Sequence, residues 1–378
     1  MNGLLRIALK LLVADKGKFF TLITGITFAV FLMMQMTSTF SGIIKKTSSD
    51  IENIGAKMWV MDKSVKSARD NFPLPNYILD AVRSINGVKF ALPIYFGSGS
   101  VRLSSGTYQS AAIIGLDDTT LFGRPQMISG EISSIYNDDS FLVVKDADYV
   151  KLNSPKIGTV FEVNDHRGVV TGLAKTASGG IFGTPTLYTT YNRAIKDLPT
   201  TRFTISYVLV EPNSDKDIEH IRQEVDKLSY LALTKEEFIT KNADYYVYKT
   251  GIGTNVLIMT VISFIIGLSI AGQTFYTFVL ENLEKFGALK AIGAKKNELI
   301  QMLLFQAGIV GFLGYGFGVF LSSVLIALAK LHIPDYASIV TFLSLSVSFI
   351  MVIIIVAFSS YIGIRKVIKI EPFDIFRG

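Results

Sequence analysis

Cysteine is absent from the chain, and histidine occurs only three times. The first absence excludes a disulfide framework, a thiolate zinc site and a thiol nucleophile. His166, His220 and His332 stand too far apart for the short spacings of a metal site. Charge is scarce too, at 18% of the residues. It is missing altogether from four runs, Phe19 to Ile44, Asn255 to Leu280, Leu299 to Ala329 and Ile339 to Ile364. Ion-coupled transporters, proton relays and voltage sensors place ionisable groups at mid-membrane, as do intramembrane proteases that use carboxylates or zinc. The sequence argues against all of these. No G-x-x-x-x-G-K-[ST] phosphate loop occurs. The nearest approach, Gly168 to Thr176, has Leu173 at the second glycine position and reads as strand and turn. The glycine-rich Ala177 to Pro185 lacks a strand-to-helix setting and reads as a surface loop. Asp117-Asp118 and Asp138-Asp139 read as solvated turn caps, with too few ligands nearby for calcium.

What is abundant is apolar surface. Hydrophobic residues make up 49% of the chain, 27 of them Phe, and mean hydropathy is +0.42. A bilayer core needs roughly 20 apolar residues, and each uncharged run meets that length. The first run is too long for a signal-peptide core and lacks a small-x-small cleavage site, so it reads as a retained anchor. Before it, residues 1–18 place Leu4, Leu5, Ala8, Leu11 and Leu12 at helical spacing around Arg6 and Lys10. This segment is either an amphipathic helix at the cytoplasmic interface or a plain extension of the first span.

The net charge of +6 clusters beside the runs, which assigns it to membrane topology rather than to nucleic acid. Arg6, Lys10, Lys16 and Lys18 flank the first span, Lys285, Lys290, Lys295 and Lys296 follow the second, and Arg365, Lys366, Lys369 and Arg377 close the chain. The positive-inside rule puts these segments on the cytoplasmic side. Both termini are then cytoplasmic, residues 330–338 form a short external loop, and residues 45–250 project outward.

That outer part has alternating strands, turn residues and most of the acids. Strands are expected at Met58 to Met61, Val88 to Phe96, Tyr108 to Leu116, Phe203 to Glu211 and Leu231 to Thr234, with helices at Asn76 to Ser84 and Asp215 to Ser229. Further strands are expected at Phe141 to Val144, Val160 to Val163, Val169 to Leu173 and Thr186 to Tyr191. The pattern predicts an α+β domain of two halves, 45–116 and 202–250, separated by a β-rich insertion, 117–201. The fold class is therefore an α-helical membrane protein with four spans in a one-plus-three arrangement, carrying a large α+β domain between the first two.

Two local features stand out. The third span is crowded with glycine, and Gly314 and Gly318 form a G-x-x-x-G. Gly311, Gly314 and Gly318 are expected in a helix seam, either between two subunits or within one. Gln273, Gln301 and Gln306 lie near span ends and are expected to bond locally. Between the second and third spans lies an elbow, residues 281–298. Phe286, Leu289 and Ile292 fall on one side of a short helix there, with lysines on the rest. Gly287 and Gly293 permit a tight bend. A helix this short is marginal alone, so it should be held by the spans and by a docked protein.

The elbow FGALKAIGAKKNEL, Phe286 to Leu299, resembles the signature of the permease family that includes MacB-type macrolide exporters, the LolC and LolE subunits and the FtsX division proteins. The tail resembles that family's closing P-x-x-x-[LF]-R-G, at Pro372, Phe376, Arg377 and Gly378. Thr234 to Phe238 with Tyr245 and Tyr246 is similar to DevC-type permeases. The resemblance implies the membrane half of a type VII ABC exporter working by mechanotransmission, as a dimer with a second copy, with no catalysis and no bound cofactor of its own. ATP and Mg would be bound by a separate ATPase pair, since MacB-type exporters fuse the ATPase to the chain and this one starts at Met1 without it. Glu284, Lys285, Phe286, Gly287, Leu289, Lys290, Ile292, Gly293 and Ala294 would dock that ATPase. Lys285-Phe286-Gly287 replaces the family's common Glu-Ile-Gly, so no Glu contact is assumed at that position. A bacterial inner-membrane location, a membrane-fusion adaptor, an outer-membrane channel and a hydrophobic substrate are further expectations. The alternative is an FtsX-like signalling protein that regulates a cell-wall hydrolase and transports nothing.

Overall fold

In the computed structural model, which describes residues 2–70, 72–176, 183–197, 205–333 and 336–368, Asp15 splits the N-terminal segment into two helices. α1 (Asn2–Ala14) stops before it and α2 (Lys16–Thr47) starts after it. The Asp15 carboxylate accepts the Lys18 backbone N–H at 3.2 Å, an N-cap that gives α2 its own start. The N-terminal segment is thus a separate helix. Its Ala8 and Leu12 are fully buried against the spans.

The chain continues through α3 (Ser49–Ile54), β1 (Met58–Met61), α4 (Asn76–Arg83), β2 (Val88–Arg102), β3 (Tyr108–Leu116) and β4 (Gln126–Ser129). β5 (Ser140–Val144), β6 (Val160–Val163), β7 (His166–Lys175), β8 (Thr186–Thr190) and α5 (Tyr191–Asp197) come next. Then follow β9 (Tyr207–Pro212), α6 (Ile218–Lys227), β10 (Leu231–Thr234) and α7 (Lys235–Tyr248). The last helices are α8 (Ile252–Glu281), α9 (Leu283–Ala291), α10 (Lys296–His332) and α11 (Phe342–Ile368). Two compact units result. A head holds the strands and α3 to α7, and a membrane unit holds α1, most of α2, and α8 to α11.

In the head, the strands join in the order β10-β1-β9-β2-β3-β8-β5-β7-β4, and β6 pairs with β2 and β7. The first four strands come from β1-α4-β2 and β9-α6-β10, interleaved with every neighbour antiparallel. That is the split βαβ arrangement of a ferredoxin-like layer. The expected insertion boundary at 116/117 is corrected here. β2 is 15 residues long and serves two regions. Its first part, to Ile94, pairs with β9, and from Tyr95 onward it pairs with β3. β3 then runs parallel to β8. The physical reason lies in the core, because Ala111 and Ile113 of β3 pack with Phe141, Val143, Val170 and Leu187. The β2–β3 hairpin therefore bridges the two regions, because Phe96, Ile114 and Leu116 on its other face pack with Trp59 and Tyr207. That region also contains α5 and two 3₁₀ turns, at Ile132–Tyr136 and Ala147–Leu152. Gly168 to Lys175 lies within β7, and residues 177–182 of the glycine-rich loop fall outside the described residues. So do residues 198–204, at the start of the strand expected from Phe203.

The ferredoxin-like layer is centred on four aromatic rings. The Trp59 ring packs tilted or edge-on against those of Phe238, Tyr207 and Phe96, with centroids 5.4 to 6.4 Å apart. Burying one such side chain stabilises by roughly 1.5–3 kcal/mol, more than a typical net hydrogen bond of about 1 kcal/mol. Burial also pushes the Tyr207 phenol up, so it stays a donor and bonds the Ala68 carbonyl at 2.8 Å.

In the membrane unit, α2, α8, α10 and α11 are each long and apolar enough to cross a bilayer. Small residues set their contacts. A methyl placed at Gly25 would stand 2.7 Å from Ile270 of α8, and one at Gly363 would stand 2.8 Å from Val279. A methyl at Gly311 would stand 2.5 Å from Val356 of α11. A methyl at Gly314 would stand 2.7 Å from Ile26 of α2, and one at Gly318 would stand 2.6 Å from Val30. The G-x-x-x-G face is therefore covered by α2 of the same chain. It is used for packing within one subunit, and the subunit-seam reading of these glycines is set aside. Gln306 also departs from expectation. It is fully buried, and its amide donates to the Ala8 carbonyl of α1 at 2.8 Å. Its turn of α10 faces α1, so its partner lies on another helix.

Candidate functional site

The elbow is built by a stop, a short helix and a restart. α8 ends at Glu281, and the buried Asn282 breaks the run with its side-chain amide donating to the Phe278 carbonyl at 2.8 Å. Asn282 also accepts from Lys285 Nζ at 2.8 Å, which fixes that lysine beside the bend. α9 then runs nine residues and lies against α11. Its end is a Schellman turn: the Gly293 N–H donates to the Lys290 carbonyl at 3.1 Å, and the Ala294 N–H donates to the Leu289 carbonyl at 3.0 Å. Gly293 supplies the left-handed conformation this needs, with φ of 105°. α10 restarts at once. Glu298 reaches back to the Lys295 backbone N–H at 2.8 Å, half of a capping box. At the base of α2, Lys18 pairs with both Asp15 and Glu281, tying the start of α2 to the end of α8.

The expected docking residues divide between two faces. Phe286 is fully buried, Gly287 is buried, and Leu289 packs on the same core. These hold the elbow to the bundle. Glu284, Lys285, Ala288, Ala291 and Gly293 are exposed, and Ala294 is half-buried. Lys290 is half-buried and donates to the Ile368 carbonyl at the end of α11, at 3.4 Å. Ile292 corrects an expectation. It does not share the side of Phe286 and Leu289 but stands 86% exposed. Ile292 is the helix C-cap and still right-handed, so at about 100° per residue its side chain leaves the helix roughly 120° around from Phe286, six residues earlier. The elbow thus presents one large bare apolar side chain, Ile292, at the end of a helix that also exposes Glu284 and Lys285, on a base whose own apolar side is already used. Asn282 and Glu298 were not singled out from the sequence. Their signals were a polar residue two positions past an uncharged run, and a glutamate three residues after an N-cap position. The tail residues Pro372, Phe376, Arg377 and Gly378 lie outside the described residues.

The comparisons agree with this architecture. A family model described as the MacB-like periplasmic core domain matches residues 19–228, and one described as the FtsX-like permease C-terminal matches residues 256–372. The class is therefore a membrane permease with an extracytoplasmic domain. The chain belongs to the MacB/FtsX-like family of ABC transporter permeases. An ABC transporter permease of Mycobacterium tuberculosis, itself uncharacterized, is 29% identical over 33% of this chain and 34% of its own length. A second, from Methanocaldococcus jannaschii, is 24% identical over 46% of each chain. A Staphylococcus haemolyticus protein named as the hemin transport system permease HrtB is 26% identical over 43% of this chain and 45% of its own. The matched stretch thus spans between a third and a half of these relatives. Among solved structures, the periplasmic region of MacB from Actinobacillus actinomycetemcomitans matches with a TM-score of 0.39 and 13% identity, over 49% of this chain and 92% of that one. The extracellular domain of the transporter YknZ from Gram-positive bacteria matches with a TM-score of 0.36 and 13% identity, over 47% and 98%.

Proposed function

We propose that this chain is the permease subunit of an ATP-driven exporter and that the elbow docks a separate cytoplasmic ATPase. In this reading the termini and elbow face the cytoplasm of the inner membrane, and the head works outside it. Two permease copies and two ATPase subunits form the working unit, with ATP and Mg in the ATPases. The stroke passes through the bundle to the head, which engages a membrane-fusion adaptor leading to an outer-membrane channel, for a hydrophobic substrate. One observation carries the docking reading: the elbow's inner side is anchored by Phe286 and Leu289 while Ile292, Glu284 and Lys285 stand exposed. A displacement applied there is delivered to helices rather than absorbed in a loop. The basic flanks support the orientation.

The test is co-purification of the permease with its ATPase, and the ATPase rate of the complex. An apolar anchor of this size contributes roughly 1.5–3 kcal/mol when buried, so Ile292→Glu is expected to weaken docking about tenfold to a hundredfold. Gly293→Val is expected to keep the bundle folded, since open space surrounds that position, but to strain the turn and uncouple hydrolysis from export. Unchanged docking in Ile292→Glu together with unchanged coupling in Gly293→Val rejects this site. Intact docking and hydrolysis with no solute moved would favour the FtsX-like signalling role instead.

A further inference from the structure

The head contains a cavity of about 330 Å³, within the ~300–1,000 Å³ range of small-molecule sites. Its floor is the β2–β3 ladder, where Phe96 lies opposite Ile114, Ser98 opposite Ala112 and Ser100 opposite Ser110. Alternate residues of a strand share a face, so large apolar side chains close one end and small ones leave the middle open. Ser98, Ser110 and Ala112 all line the space, and any larger residue there would fill it. Thr184 adds a hydroxyl to the wall.

The remaining wall is an ion pair. Arg69 donates from Nε and Nη2, at 3.2 and 3.1 Å, to the same oxygen of Asp50. A guanidinium has five N–H donors, so this pairing leaves part of the fork outside it. The two partners differ in access. The Asp50 side chain is 7% exposed and that of Arg69 is 36% exposed. The carboxylate thus sits behind the guanidinium and fixes its plane, and the cation meets whatever enters. Among the described residues lining the cavity, Asp50 alone is acidic.

We propose that this cavity binds an organic anion with a short apolar body, its carboxylate or phosphate on Arg69 and its body over Ser98, Ser110 and Ala112 towards Phe96 and Ile114. Asp50 is a positioning residue. This site lies wholly within the head and does not depend on the elbow's role or on what the membrane unit moves.

The chain's one tryptophan provides the readout, because the Trp59 ring is 6.4 Å from that of Phe96 in the cavity wall. The full chain in nanodiscs is titrated with octanoate and octyl phosphate, against octanol and octylamine, following Trp59 emission. Saturable binding of at least one anion is expected, with octanol and octylamine weaker by about tenfold to a hundredfold. Whichever anion binds more tightly identifies the head group. Arg69→Gln should weaken anion binding by the same factor. Because that change strands Asp50 and can destabilise the head, Ser98→Phe serves as a second variant, which fills the floor and keeps the ion pair. It should abolish the response with the fold retained by circular dichroism. No saturable response in the wild type, equal binding of octanol or octylamine, or an unchanged response in Ser98→Phe would overturn the proposal.

Discussion

In the membrane unit, many serine and threonine side chains turn back onto their own helix, with Thr39–Ser338, Ser41–Thr341 and Ser348–Met34 joining distant segments, whereas in the head several buried ones reach across the chain. Thr37, Thr260, Ser263 and Ser360 each donate to the carbonyl four residues earlier, at 2.6 to 2.8 Å. In the head, Ser206 joins both backbone groups of Phe96, and Thr189 bonds the Ser140 carbonyl at 3.0 Å. A helix in lipid must satisfy its backbone internally, so most of its hydroxyls find their acceptor on their own turn and only some reach a neighbouring segment. Shape must then decide which helices meet, and glycine sets that shape. The head has irregular backbone to satisfy, so its polar side chains carry information about which distant segments meet.

If shape decides in one unit and hydrogen bonds in the other, opposite substitutions should harm them. The largest effect is expected from Gly318→Leu. A Cβ there meets the Thr27 carbonyl at 2.9 Å, a backbone atom that cannot rotate away. Overpacking costs roughly 1–3 kcal/mol and occasionally more, so thermal stability in detergent should fall sharply. Gly316→Leu, with nothing within 4 Å, should leave it nearly unchanged. Equal losses in the two variants would break the comparison.

Next comes Asn242→Leu. Asn242 is fully buried, accepts from the Ala68 N–H at 2.9 Å and donates to the Thr47 carbonyl at 3.0 Å. It thereby ties α7, the loop after β1 and the end of α2. Stranding a buried backbone group costs roughly 1–3 kcal/mol, so Trp59 emission should report earlier unfolding of the head.

The smallest effect concerns pH. Burial draws Glu237 upward, but the Thr234 N–H, at 2.8 Å, and the Arg222 fork, at 2.9 Å, outweigh it and hold the carboxyl below its ordinary 4.5. A depressed carboxylate stabilises the fold above its unfolded value, and that contribution disappears as pH falls through the folded one. Wild type should therefore melt above Glu237→Gln at neutral pH, with the gap closing on acidification. Both side chains are partly exposed, so the gap should be small. A gap that widens in acid would contradict the assignment.

Much of this was legible in one dimension. Four uncharged runs imply four spans because charge is costly in lipid, whatever the neighbours are. The elbow's bend was visible in Gly293, since a left-handed position favours glycine. Other features required the folded chain. Period-two alternation shows that β2 and β3 are strands, but not which core they face, so the extent of the insertion followed only from the pairing of β3 with β8. Likewise Gly318 announced a close approach without naming α2 as the partner.

The residue pattern alone determined that this chain spans a membrane, carries an extracytoplasmic domain and bends at a basic elbow, because transfer cost and backbone sterics act residue by residue. Tertiary structure alone decided that the glycine face is covered from within, that Ile292 points away from Phe286, and that Arg69 opens onto a cavity with Asp50 behind it. Each of those depends on which atoms are neighbours, and contact between residues distant in sequence is not written in local periodicity.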